Sequence, residues 1–142
     1  MSTPADSRAA AKAAIATADV LVKASKALVD KAHDQMVATP PVVTLEQYRI
    51  LVSQHAVVIG NAATVRQTVA LELGADMQQH IAALQQATTT LNNQIAALGA
   101  VNNVFDRAAK VLVAAGALAT LVAAPSVATV GVVLVAVSEI VN

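Results

Sequence analysis

Apolar positions recur along this chain in steps of three and four, the spacing that aligns one face of an α-helix. In the first third, Ile15, Ala18, Val22, Val29, Ala32 and Met36 share a face, with Leu21 and Leu28 beside them. Thr3, Pro4 and Asp6 supply a start: a cap, a residue suited to the first helical position, and an acidic partner three residues after the cap. The two prolines of "TPPVV" end the ladder, because proline has no N–H to donate. This pattern predicts a first helix running to about residue 38.

A second helix starts at "VTLEQY", where Thr44 caps, Gln47 reciprocates, and Val43 staples against Tyr48. Its predicted buried stripe is Leu45, Tyr48, Val52, His55, Ile59, Ala62 and Val69. Gly74 and Asp76, with Gln79 three residues on, mark either a break before the third helix or a stutter in a continuous one.

The third segment has the most regular spacing. Ile81, Leu84, Thr88, Leu91, Ile95, Leu98, Asn102, Phe105, Ala109 and Leu112 alternate in steps of three and four, a heptad seam that a partner must cover. Thr88 and Asn102 occupy a-type positions, where a polar side chain sacrifices stability and fixes register. Two readings of Asn102 follow: a register pin in an oligomer, or a hydrated spot on a seam within one chain. Three such helices, each roughly 45–50 Å long at the helical rise, suggest an all-α, antiparallel up-down-up bundle over residues 1–108.

The pattern changes at Lys110. No charge occurs from 111 to 138, in "VLVAAGALATLVAAPSVATVGVVLVAVS", and Glu139 follows. Residues 109–142 are therefore expected to form an apolar hairpin turning at "AAPS", either buried by the bundle or facing lipid, or a kinked span. A helix with no polar face needs protein or lipid all round it. A single span takes about 20 residues, whereas each arm on either side of Pro125 falls short of that, which suits a re-entrant or interfacial hairpin. Ala115, Ala119 and Ala123, with Gly116 and Thr120 alongside, form the kind of small-residue stripe that lets helices approach closely in lipid. The expected lipid-facing residues are Val111, Leu112, Leu118, Leu121, Val122, Val127, Val130, Val133, Leu134 and Val137. The absence of tryptophan removes the usual interfacial belt, and the β-branched residues after Pro125 leave a strand open there.

Composition narrows the function. Apolar residues make up 56% of the 142, yet Tyr48 and Phe105 are the only aromatic rings besides histidine. Thin, close-packed helix interfaces follow, not a thick aromatic core. Nine basic residues balance nine acidic ones, so no net field recruits nucleic acid, and stacking aromatics are lacking too. A mild basic excess on the first helix (Arg8, Lys12, Lys23, Lys26, Lys31) alternates with Asp6, Asp19 and Asp30 and reads as a solvated face. Without cysteine there is neither a disulfide framework nor a thiolate metal site. Lys12 and Asp19 would interrupt the apolar core of a secretory signal.

His33, His55 and His80 lie on different helices, and none has a ligand partner at helical metal spacing. His55 falls on the second helix's stripe, where it is a core histidine or a pH trigger. No cofactor, metal site or enzymatic function is expected.

At the level of layout, and through no motif, long helices with an uncharged hairpin resemble α-helical pore-forming toxins. The resemblance implies a hairpin held away in a soluble form and released at a membrane. Such toxins continue with another long helix after the hairpin, which this sequence does not show, so a component of a larger assembly is the closer expectation. The expected function is that of a membrane-interacting bundle with residues 111–138 toward lipid. It is membrane-associated, or soluble and converting to a bound form, and its partners are a homo-oligomer or related helical subunits. The rival expectation is a self-assembling coat or scaffold protein whose apolar tail is buried between subunits.

Overall fold

The computed structural model describes residues 4–67, 78–98 and 104–141, and every element among them is a helix. These are α1 (Pro4–Val37), α2 (Leu45–Arg66), α3 (Gln78–Leu98), α4 (Val104–Ala123) and α5 (Val127–Val141). The all-α class therefore stands.

The end of α1 and the start of α2 fall where their residue types require, while the expected cap Thr3 lies outside the described residues. The Val42 N–H donates to the Gln35 carbonyl at 2.9 Å, folding the proline-containing loop back on the end of α1. Thr44 then caps α2: its Oγ1 accepts from the Gln47 N–H at 3.1 Å, and Gln47 Oε1 accepts from the Thr44 N–H at 3.0 Å. This is the reciprocal box expected from the sequence. The expected cap region at Gly74–Asp76, and Val69, lie outside the described residues.

Polar pairs set α2 against α1. Asp19 binds Arg66, Ser25 meets His55, and the His33 and Tyr48 rings stand edge to face at 5.8 Å. Positions rise along α1 as they fall along α2, so the two are antiparallel. The residues buried on α2 are Leu51, Val58, Ala62 and Val65. Of the predicted stripe, Ala62 is buried and Tyr48 and His55 are half-buried, whereas Leu45, Val52 and Ile59 are exposed. The helix carries apolar residues on several sides, and its packing on α1 and α4 decides which side turns inward.

The third helix differs more from expectation. Leu91 shares a groove with Val137 of α5, and Arg107 of α4 donates to the Ile140 carbonyl, only three residues further along α5. A continuous helix would hold positions 91 and 107 roughly 24 Å apart at 1.5 Å per residue. The chain must therefore fold back between α3 and α4. The regular heptad spacing crosses this fold unchanged, but the seam is not one rod. Residues 99–103 lie outside the described set.

The helices form two layers. α2 and α3 each pack on α1, and the α4–α5 pair lies over them, α4 on α1 and α2, and α5 on α3. One contiguous core joins Leu21 and Leu28 of α1, Leu51 and Val58 of α2, Leu84 and Leu91 of α3, Val111, Leu118 and Leu121 of α4, and Val133, Val137 and Ile140 of α5. The hairpin is part of that core.

A buried polar contact fixes α1 against α3. The hydroxyls of Thr17 and Thr88 lie 2.8 Å apart, while each also lies 2.8 Å from the carbonyl four residues earlier, Ala13 and Leu84. Two hydroxyl protons must serve three contacts. Replacing either threonine with valine should cost about 1 kcal/mol, whereas the double replacement should be nearly neutral, because no unsatisfied partner remains. Denaturant melts of the two singles and the double measure the difference.

Candidate functional site

The uncharged run folds as a helical hairpin. Pro125 cannot extend α4's hydrogen-bond ladder, and Ser126 restarts the helix. Ser126 Oγ accepts from the Thr129 N–H at 3.1 Å, and Thr129 Oγ1 accepts from the Ser126 N–H at 2.9 Å, a second reciprocal cap. Thr129 Oγ1 also donates to the Ala124 carbonyl at 3.2 Å, tying the turn together.

At the opposite end, the Arg107 guanidinium donates to the last carbonyls of α5, at Glu139 and Ile140. A cation there complements the helix C-terminus. The charges of the hairpin cluster at this open end: Asp106 with Lys110 at 3.2 Å, Arg107, and Glu139. Everything between that end and the turn is uncharged.

The hairpin has two distinct faces. The inner one supplies core: Val111, Leu118, Leu121, Val130, Val133 and Val137 are buried. Leu112, Val122 and Leu134 are half-buried against it. Of the residues expected to meet lipid, only Val127 is among the exposed ones. The valines of the outer face were not among the residues expected to meet lipid. Val113 is 61% exposed on α4, and Val132 and Val135 are 56% and 59% exposed on α5. Ala109, Thr120, Ala123 and Ala128 are exposed beside them, with Gly116 and Gly131 partly so. The run is apolar on all sides, so its periodicity cannot tell inner from outer positions. The alanine stripe is likewise no single interface, since Ala115 is buried, Ala119 half-buried and Ala123 exposed.

The expected association seam lies mostly inside the chain. Ile81, Leu84, Thr88 and Leu91 are buried, and Ile95 is half-buried against the core. Their cover comes from α1 and α5. Leu98 is the last residue of α3, Phe105 is 36% exposed on α4, and Asn102 lies outside the described residues.

Among the described residues, no three histidine or acidic side chains converge as a metal site would need. An open groove of about 310 Å³ between α3 and α5 is lined by Ala83, Gln86, Ala87, Thr90, Leu91, Val137 and Ser138, with no ionisable group. Nor is any helix among the described residues long and apolar enough to cross a membrane.

His55 lies at the α1–α2 contact, with Nδ1 2.7 Å from the buried Ser25 hydroxyl. Burial holds its pKa below the ordinary 6.5, the charge of Lys26 pushes the same way, and Asp30 opposes both. The fold therefore favours the neutral ring. Its stabilising effect is complete above the unfolded value of 6.5 and declines as pH falls through it. Melting temperature should fall between pH 7.5 and 5.5, and His55→Gln should flatten part of that slope.

No family model matches the chain, and neither a curated protein nor a solved structure matches it.

Proposed function

We propose that this is a non-enzymatic, membrane-interacting helical bundle in which the α4–α5 hairpin is the lipid-facing element. One observation carries the reading. The hairpin leaves Val113, Val132 and Val135 more than half exposed on a face without charge, although its inner face already completes the core. A surface of this kind is disfavoured in water and stabilised by lipid or protein cover.

The geometry favours contact parallel to the membrane surface. Helices of 20 and 15 residues, folded back on each other, bury one side at the headgroup–acyl boundary without crossing. The charged end, with Asp106, Arg107, Lys110 and Glu139, stays in the headgroup region. Deeper contact would need α4–α5 to leave α1–α3 and turn Val111, Leu118, Leu121, Val130, Val133 and Val137 outward. The resemblance in layout to pore-forming toxins is consistent with that second step and with an oligomeric bound form.

Vesicle flotation tests the proposal. The full chain should float with phosphatidylcholine–phosphatidylglycerol vesicles, and Val132→Arg should remain in the bottom fraction while melting like the parent. Equal flotation of the two proteins would remove the outer face from the account.

A further inference from the structure

Helix α2 is held more lightly than the hairpin it covers. It rests on α1 and α4 and buries four residues, Leu51, Val58, Ala62 and Val65, whereas the shorter α4 buries seven. Gln54 Oε1 is buried on α2 without a hydrogen-bond partner in the chain. Closing α2 therefore leaves an acceptor unpaired that solvent satisfies when the helix lifts. Its contacts with α1 include three polar pairs: Asp19 with Arg66, Ser25 with His55, and His33 against Tyr48.

His55 stands where the cover closes. Val58 and Ala62 of α2 meet Leu21 of α1 and Ala115 and Leu118 of α4 around one junction, with no water-sized space between them. Ser25 follows Leu21 by about one helical turn, and His55 precedes Val58 by about one turn. The 2.7 Å contact between His55 Nδ1 and the Ser25 hydroxyl thus fastens the same junction from its α1–α2 side. A charged ring would find no counter-ion there. Ser25 is buried and neutral. On α1, Lys26 repels a proton on the ring, and Asp30, which attracts it, is already paired with Lys26 at 2.9 Å. Asp19 is engaged with Arg66. On α4, one turn either side of Ala115 and Leu118 covers only uncharged residues, and the nearest charge on α2 itself is Arg49, six residues before.

We propose that α2 is an acid-released cover: a proton on His55 opens the seam at Ser25, α2 lifts, and the Ala115–Leu118 side of α4 becomes available to lipid. The sign follows from the ring's two environments. The closed form holds its pKa below the ordinary 6.5, so the open form binds the proton more tightly and acid favours opening. At pH 5.5 the opening constant should exceed its neutral-pH value by at most about tenfold, because the free ring titrates about one unit higher. The lipid step rests on the reading of α4–α5 as the lipid-facing element; the opening of α2 does not.

Val58→Cys reports the opening without lipid, since this side chain is 1% exposed against α4 and the chain has no native cysteine. Its rate of reaction with a maleimide, divided by that of Ser53→Cys on the exposed side of α2 at the same pH, removes the thiol's own titration. The ratio should rise about three- to tenfold from pH 7.5 to 5.5. With His55→Gln, whose amide takes no proton, the ratio should stay flat. With His33→Gln, exposed at the other end of the seam, it should rise as in the parent. Val133→Cys, buried on α5, should show no rise. Flotation of the full chain with phosphatidylcholine vesicles, which carry no net charge to attract a protonated protein, should strengthen over the same pH range, and should not do so with His55→Gln. A ratio that ignores pH overturns the proposal, as does one that rises equally with His55→Gln or at Val133→Cys. A flat ratio in a chain that floats at both pH values removes the acid release and leaves the lipid reading standing. A rising ratio in a chain that never floats sustains the release and sinks the lipid reading. A rising ratio with flotation indifferent to pH overturns the part that α2 plays in lipid contact.

Discussion

A chain cut before Val104 is expected not to fold. The α4–α5 pair supplies Val104, Val111, Leu118, Leu121, Val130, Val133, Val137 and Ile140 to a single core shared with α1, α2 and α3. Each such side chain contributes about 1.5–3 kcal/mol when fully buried. Together they match or exceed the whole stability of a typical domain, about 5–15 kcal/mol. The truncated chain would also expose Leu21 and Val58, which lie against Ala115 and Leu118 of α4. Circular dichroism and limited proteolysis should show residues 1–103 without a cooperative melt. A cooperative transition in that fragment would mean that α1–α3 form a bundle by themselves and that the hairpin is an appendage.

The second large effect is a contrast between two arginines in the same uncharged run. Leu121 is 1% exposed, whereas Val135 is 59% exposed. Leu121→Arg places an unpaired charge in the core, and several kcal/mol of stability should be lost. The protein should unfold or aggregate whether or not lipid is present. Val135→Arg leaves the core untouched and adds a good helix former in the middle of α5. Its melting temperature should lie within a degree or two of the parent, as for ordinary surface changes, while its affinity for vesicles should fall at least tenfold. The full cost of a charge at a membrane helix centre is about 2.5–3.5 kcal/mol, and a shallow site incurs only part of it. Equal destabilisation by both arginines would show that the assigned inner and outer faces are wrong.

How far the sequence could be read follows from these same residues. The caps were legible because they are local: Thr44 and Gln47 need only their own backbone to form the box. The α1 boundary was legible for the same reason, with Pro40 and Pro41 just beyond its end at Val37. The inward side of α2 was not. Leu45, Val52 and Ile59 make as regular a stripe as Leu51, Val58 and Val65, and the packing of α2 on α1 and α4 selects the second. The fold-back between α3 and α4 was hidden by heptad spacing that continues through it. Thr88 was legible as a polar position that fixes register, but its partner, Thr17, is 71 residues away.

The candidate site shows the same limit in its strongest form. That residues 111–138 need cover on every side was plain from their lack of charge. Which residues receive it from the chain's own core depends on how the hairpin docks on α1, α2 and α3. Most residues chosen by size, such as Leu118, Leu121 and Val133, turned inward, and the exposed face fell to Val113, Val132, Val135 and the glycines between them. Hydropathy ranks residues, whereas tertiary contact assigns their faces.

The chain has no native cysteine, so a spin label at a single introduced cysteine reports one position without further changes. The most direct measurement places labels in turn at Val132 on the outer face, and at Ser53 on the exposed side of α2, and compares their collision with oxygen and with a water-soluble nickel complex. On adding vesicles, the label at 132 should gain oxygen accessibility and lose nickel accessibility, while the label at 53 stays in water. Unchanged accessibility at 132 in the presence of excess vesicles would contradict the account.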